Sequence, residues 1–318
     1  MKLVTFSSTR GDRLGAFVDG KVVDLNAAYA LYLKSRGERR AGASADALLP
    51  CDMVGFLALG DGALRAMRQA LEYARASRMR TNATDGRGHR VLYDAGEVRL
   101  RPPVPHPPKV ICMCLNYVDH CKETGVPVPD SPFFFVKPWT AIAGPEDLVY
   151  IPKMAKVNRH VDYELELAIV IGKKGRHVPE KDAYDLVAGY TIMNDISARD
   201  FFPPEFLPMK GFDSFAPLGP CLTLKDQIGD VDNLNLRLRV NGEVRQVSNT
   251  RNFVFRIPQV VAYLSEILTL EPGDVISTGT PGGVGWKQTP PLWLQTGDVV
   301  EAEIENIGVL RNTIATEV

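Results

Sequence analysis

The chain has 318 residues, room for about two domains and for a core that needs neither disulfides nor a structural metal. Its 37 Lys and Arg stand against 38 Asp and Glu for a net charge of -1, so no basic field exists to draw nucleic acid or an anionic lipid surface. No apolar run approaches the ~18 residues of a membrane span, and the apolar stretch within residues 1–10 is too short for a signal-peptide core, so a cytoplasmic protein with reduced thiols is expected.

Short strand signals come first, at residues 3–6, 14–18 and 22–25, with Asp19-Gly20 as a hairpin turn. Leu57, Leu59, Leu64, Met67, Leu71 and Tyr73 then recur at helical spacing between positions 52 and 76, and the stretch 77–90 is polar. Residues 1–100 therefore read as a small α/β domain. Pro102, Pro103, Pro105, Pro107 and Pro108 follow, a stiff linker at 101–108 that can continue neither a helix nor a central strand. The rest, 109–318, favours strand at 110–115, 133–136, 163–171, 189–193, 234–240, 244–247, 275–277 and 299–304. Asn241-Gly242 marks a hairpin, and 257–270 is the best late helix, stopped by Glu271-Pro272-Gly273-Asp274. The fold class expected is α+β, mostly β: a mixed β-roll or barrel-like domain rather than a doubly wound parallel sheet.

The five cysteines, Cys51, Cys112, Cys114, Cys121 and Cys221, read as small buried hydrophobes; Cys112-Met113-Cys114 lacks the spacer of zinc knuckles and redox loops. Carboxylates are more informative. On a strand Glu164 and Glu166 share one face, with Tyr163, Leu165, Leu167 and Ile169 on the other. Taken alone the pair fits a charged outer face as well as a shared acidic site. Asp195 ends the apolar run from Tyr190, where it would serve as a cap or turn residue or as a third oxygen ligand. Three carboxylates without His or Cys make a hard-oxygen site suited to Mg²⁺ or Mn²⁺. His120 and Glu123 fall three apart on a short helix, either an ordinary surface pair or an imidazole oriented by a carboxylate as a general base. The turn-rich stretch 210–220 and the glycine loop 278–285 would let a ligand approach the backbone, and the latter fits neither a Walker loop nor a dinucleotide fingerprint.

In order along the chain, Asn116-Tyr117 with His120 and Glu123, Asp162-Tyr163-Glu164-Leu165-Glu166-Leu167, Asn194-Asp195-Ile196-Ser197-Ala198-Arg199-Asp200, Lys210-Gly211-Phe212-Asp213-Ser214-Phe215 and Gly279-Thr280-Pro281-Gly282-Gly283-Val284 resemble the motifs of the fumarylacetoacetate hydrolase family. The likeness runs over about residues 105–318, and the first hundred resemble the small domain ahead of the catalytic domain in longer members. It implies a homodimer with Mg²⁺ or Mn²⁺ held by Glu164, Glu166 and Asp195. It also implies that Lys210 lies beside the metal, that Ser214 is near it, that Thr280 binds the substrate carboxylate, and that His120 and Glu123 form a catalytic dyad on a lid spanning 117–130. Asn116, Tyr117, Arg199 and Gly279 belong to the same motifs and would face substrate. Phe202 stands where the family often has a substrate-touching Gln, which suggests a more apolar wall.

The activity so implied is hydrolytic C–C cleavage of an acylpyruvate-type 1,3-dicarbonyl acid, as in aromatic catabolism, with His120 activating water and Lys210 stabilising the oxyanion. The alternatives use the same enolate without water: decarboxylation of an oxaloacetate-like acid or isomerisation of a 2-hydroxydienoate. From another class, a non-catalytic oxo-acid-binding protein would fit the same fold.

Overall fold

A computed structural model describes residues 1–77, 83–154, 160–201 and 205–317. Phe202 and its neighbours Pro203 and Pro204 lie outside these, as does part of the polar stretch 77–90.

The chain opens with antiparallel β1 (Lys2–Ser8), β2 (Gly11–Val18) and β3 (Lys21–Asp24), the last two joined by the expected Asp19-Gly20 turn. β3 stops one residue earlier than its apolar run, because the Asp24 carboxylate accepts from the Ala27 N–H and caps α1 (Leu25–Ser35). The same carboxylate, wholly buried, takes Arg13 Nε and Nη2 at 2.6 and 2.9 Å. α1 follows the β3 strand signal directly, and α2 (Ala41–Leu48) carries no periodic signal in sequence, being alanine-rich with few large apolar side chains. The helix expected over 52–76 is two: α3 (Met53–Ala58) and α4 (Asp61–Ala76), parted at Gly60, whose φ of 57° a continuing helix cannot hold. β4 (Leu92–Asp94) pairs with β3 and β5 (Leu100–Arg101) with β1.

The longer half contains β6 (Val110–Cys114), α5 (Val118–Thr124), β7 (Phe133–Lys137), β8 (Ile142–Ala143), β9 (Leu148–Ile151), β10 (Val161–Asp162), β11 (Leu165–Ile171), β12 (Val187–Asn194), β13 (Ser197–Ala198), α6 (Phe206–Lys210) and β14 (Ala216–Leu224). It ends with β15 (Asn235–Val240), β16 (Glu243–Asn249), α7 (Ile257–Ile267), β17 (Val275–Ser277), β18 (Val299–Ile304) and β19 (Gly308–Thr316). β14 corrects the reading of 210–220 as loop: Ala216 to Pro220 run as strand, Pro217 and Pro220 included.

Two mixed sheets result, mostly antiparallel and both open, with no closed barrel among the described residues. The larger runs β4-β3-β2-β1-β14-β12-β11-β17-β6-β7, the smaller β16-β15-β18-β19-β9. β11 lies centrally, between β12 and β17. Leu165, Leu167 and Ile169 pack into a core shared with the smaller sheet and α7, while Ala168 and Val170 face a second core containing Leu3, Ala28, Met67 and Val110. Both faces are therefore buried, as the nearly unbroken apolar run requires. The proline-rich 101–108 segment joins two parts that share a sheet, through Lys2↔Thr223 and Leu3↔Leu222, and that second core.

Asp24→Ala should cost about 3 kcal/mol or more in urea unfolding, because it removes a cap and leaves Arg13 buried without its carboxylate. Asp24→Asn, which keeps the cap, should lose less.

Candidate active site

The antiparallel ladder of β11 and β12 begins at Leu165↔Asn194, so the residues just outside it, Glu164 and Asp195, meet at one end of the pair. They are locked together there. Asp195 N–H donates to the Glu164 carbonyl at 2.8 Å and Glu164 N–H donates to Asn194 Oδ1 at 3.0 Å. Glu166, one pleat further in, points to the same side as Glu164, and one oxygen from each of Glu164, Glu166 and Asp195 lies within 4.8 Å of the others. All three are buried, which excludes the exposed charged face that Glu-x-Glu alone also allowed.

Three cations converge on them. Lys210 Nζ, delivered by the last residue of α6, donates to Glu164 Oε2 at 2.7 Å and Asp195 Oδ2 at 2.8 Å. Arg199, just after β13, bridges Asp162 and Glu164. Lys137, the last residue of β7, lies 2.6 Å from Asp195 Oδ1 with its side chain fully buried. Burial alone would raise the Glu164 carboxyl, but Lys210 and then Arg199 overcome it and hold the group far below its ordinary range. Lys210 responds in kind, burial opposing its charge while Asp195 and Glu164 raise it. Asp162, Glu164, Glu166 and Asp195 thus face three cations, and one acid is left over. That acid is Glu166: burial, then Asp195 and Glu164, push its carboxyl well above the usual value. Its Oε2 receives only the Ser277 hydroxyl and the Gly279 N–H at 3.0 Å.

This donor set fits a hard divalent cation. The three protons of Lys137 Nζ have three carbonyl acceptors, at Ile196, Lys210 and Phe215, so Asp195 Oδ1 has positive charge beside it yet no hydrogen-bond donor. A buried oxygen without a donor, beside two further carboxylates, suits a small oxygen-seeking ion.

Opposite stands α5. His120 Nδ1 is 3.4 Å from Glu123 Oε2, and Glu123 Oε1 accepts from the Gly283 N–H at 2.9 Å. Asp119 accepts from the Ser248 hydroxyl at 2.6 Å, so the expected lid is a short helix fastened to β16 and to the glycine loop, with His120 buried. A cavity of 430 Å³ separates the two groups, lined by His120, Glu164, Glu166, Arg199, Lys210 and Thr280 on its polar side.

The remaining candidates lie around this chamber. Asn116 supports it, donating to the Phe255 and Thr278 carbonyls and accepting from the Phe255 N–H. Tyr117 is wholly buried, edge-on to Phe253 at 4.8 Å between ring centroids. Ser214 accepts from the Tyr150 N–H at 2.9 Å. None of these, nor Gly279, is among the cavity-lining residues. Thr280 lines it while donating to the Leu165 carbonyl and accepting from Gln246. Cys121 places its Sγ 3.4 Å from the Leu115 carbonyl, away from any activating base. Lys137 is the group missed from sequence. Its signal was there: a lysine ending Phe133-Phe134-Phe135-Val136, two residues from a buried Phe on the same strand face.

A sequence profile described as "Fumarylacetoacetate (FAA) hydrolase C-terminal" matches residues 109–315. The chain is 40% identical over 322 residues to a mitochondrial oxaloacetate tautomerase of Xenopus laevis, covering 99% of this chain and 90% of that one. Among solved structures, maleylpyruvate hydrolase of Sphingobium sp. SYK-6, in complex with manganese(II) and pyruvate, matches with a TM-score of 0.74 at 29% identity over the full length of both chains. So does 5-carboxymethyl-2-hydroxymuconate delta-isomerase of Mycobacterium smegmatis, at a TM-score of 0.71 and 30% identity, again over the whole of both chains.

Lys137→Met should destabilise the metal-free protein by about 3–5 kcal/mol, since it strips a buried cation from Asp195 and the donors from three carbonyls. Lys174→Met, an exposed control beside Glu271, should cost under about 1 kcal/mol in the same denaturation series.

Proposed function

This chain belongs to the fumarylacetoacetate hydrolase family, and from that premise we propose that it is a metal-dependent enzyme that moves a proton at C3 of a 2-oxo acid, interconverting keto and enol forms. The observation that carries this is the pairing, across one cavity, of an imidazole–carboxylate dyad with a carboxylate triad. Likeness over nearly the whole chain to an oxaloacetate tautomerase supports it.

Glu164, Glu166 and Asp195 would hold Mg²⁺ or Mn²⁺, which supplies Lewis-acid polarisation of the 2-oxo acid head. Glu123, itself fixed by the Gly283 N–H, orients His120 so that the imidazole takes the C3 proton and returns it. Lys210 and Arg199 hold positive charge beside Glu164, where negative charge develops on the substrate's oxygens. Thr280 lines the same wall, and its hydroxyl would have to turn from the Leu165 carbonyl to donate to the substrate carboxylate. Anchoring of α5 through Asp119 and Glu123 holds the dyad at the cavity wall.

A second reading adds water. C–C hydrolysis of an acylpyruvate begins from the same head-group binding, with His120 activating water instead of taking the carbon-bound proton. The likeness to maleylpyruvate hydrolase favours it, and a cavity of 430 Å³ has space for a water beside a small acid. Decarboxylation and dienoate isomerisation share the enol, the latter being the activity named for the Mycobacterium smegmatis neighbour. A binding protein without catalysis would have no need of a buried dyad.

No helix among the described residues is long and apolar enough to cross a membrane, and all five cysteines are free thiols. The homodimer is also proposed: Val136, Trp139 and Tyr150 expose large apolar side chains that an interface would cover. Sedimentation velocity should give twice the chain mass, and a monomer at micromolar concentration would remove this assignment.

One paired assay tests the chemistry. Oxaloacetate tautomerisation and pyruvate release from acetylpyruvate should both vanish in EDTA if the triad holds the metal, and Glu166→Gln should weaken Mg²⁺ binding by about tenfold or more in calorimetry. His120→Ala should lower the catalysed step by roughly 10²-fold or more with metal binding intact. Tautomerisation without pyruvate release fits the first reading; release that fails in His120→Ala while C3 exchange persists fits the second. Full activity in rigorously metal-free protein would exclude both.

A further inference from the structure

The cavity has two unlike ends. At the inner end lie the carboxylates and their cations. Leading outward from Lys210 is an aromatic wall: Lys210 Nζ sits 5.3 Å from the Phe135 ring centroid, Phe135 stacks on Phe206 at 4.9 Å and 8° between planes, and Phe206 meets Phe133 edge-on at 5.8 Å. The alternation of β7 produces this arrangement, because Phe133, Phe135 and Lys137 share one strand face that runs from solvent at Phe133 to the buried acid cluster at Lys137. Val126 and Met209 line the same cavity.

Positive charge is scarce along this route. Arg199 and Lys210 are the lining cations among the described residues, and both are committed to Glu164 together with Asp162 or Asp195. A second carboxylate seated against the phenyl rings would be desolvated with no uncommitted cation among the described lining residues, Lys287 standing instead over Trp286 at 4.1 Å and on the Thr124 carbonyl, which is costly. An apolar group placed there would bury its surface against the same rings and gain by it.

We propose that the substrate carries an uncharged alkyl or aryl group at the end remote from its 2-oxo acid head, seated against Phe133, Phe135 and Phe206. This rests on the enolisation reading of the site, and it separates the chain's preference from the dicarboxylic oxaloacetate named for its relative. The wall touches a part of the substrate that does not react. Its contribution should therefore be equal in ground and transition states and appear in KM, with kcat nearly constant.

The test is a series of 2-oxo acids with the Mg²⁺-loaded protein in D₂O, following C3 deuterium exchange by NMR above the buffer rate. The series holds 2-oxobutanoate, 2-oxopentanoate, 2-oxoheptanoate and phenylpyruvate, with oxaloacetate and 2-oxoglutarate as dicarboxylic members. KM should fall by up to about fourfold per added methylene, and by about tenfold or more in all between 2-oxobutanoate and 2-oxoheptanoate or phenylpyruvate. Both dicarboxylic acids should have the higher KM values. Phe133→Arg, at the half-exposed rim where folding is least at risk, should raise KM for phenylpyruvate and lower it for 2-oxoglutarate; Phe206→Arg should do so more strongly if it folds. A flat KM series, or the lowest KM for a dicarboxylic acid, overturns the proposal while leaving enolisation in place. Exchange absent with every acid, under conditions where Mg²⁺ binding is measured, overturns the enolisation reading and this proposal together.

Discussion

Glu166 is a carboxylate buried in a protein interior with no cation of its own, and the architecture around the site can be read as a response to it. Its neighbours Glu164 and Asp195 are matched by Lys210, Arg199 and Lys137, and Asp162 shares Arg199, so the imbalance falls on one residue. The Ser277 hydroxyl and the Gly279 N–H, at and just beyond the end of β17, donate to one of its oxygens and leave its carboxyl well above the ordinary value. A divalent cation would favour the ionised form of Glu166 and give four carboxylates and three cations a formal excess of one positive charge. An anionic ligand would then meet a site of opposite sign, as the proposed enolisation of an oxo acid requires. Replacing the cluster by apolar residues would remove the tension and the chemistry with it.

The base is governed from another direction. Gly283 has φ of 102°, and a Cβ there would lie 2.3 Å from the Arg245 carbonyl, so only glycine lets this loop pass beneath β16. Passing there puts the Gly283 N–H on Glu123, whose other oxygen faces His120. The glycine loop thus reaches Glu123 as well as placing Thr280 at the cavity wall. A residue some 160 positions away in sequence fixes the carboxylate that stands 3.4 Å from the imidazole.

Much of this was legible beforehand, for identifiable reasons. Strict alternation along 163–171 placed Glu164 and Glu166 on one face, and a period of two survives any tertiary context that keeps the strand. The Asn241-Gly242 hairpin and the Pro102 to Pro108 break are local chemistry, and local chemistry reads well. Failures have equally specific causes. α2 is held by packing of alanines with no hydrophobic stripe, whereas α1 has one in Leu25, Tyr29, Tyr32 and Leu33 that follows the β3 strand signal directly at the Asp24 cap. β14 contains two prolines and looked like loop; its strand character comes from pairing with β1, β8 and β12, which no local window contains. Lys137 escaped because a lysine after four apolar residues resembles a strand end in solvent, and only the fold shows that the strand points inward.

The junction between the two halves has a consequence for the life of the chain before it is complete. β14 receives β1 along one side through the pairing of Lys2 with Thr223 and Leu3 with Leu222, so the first strand made finds its partner only after more than two hundred further residues have been synthesised. Until then β1 has an unpaired margin, and the helices packed behind it lack the surface that Ala168, Val170 and Leu222 later provide. Contacts so distant in sequence form late and slowly, and an open strand margin is a template for other chains. β2 and β5 pair with β1 from its own neighbourhood and stay paired in the folded chain, so only the Lys2-Leu3 end of its second edge waits for β14.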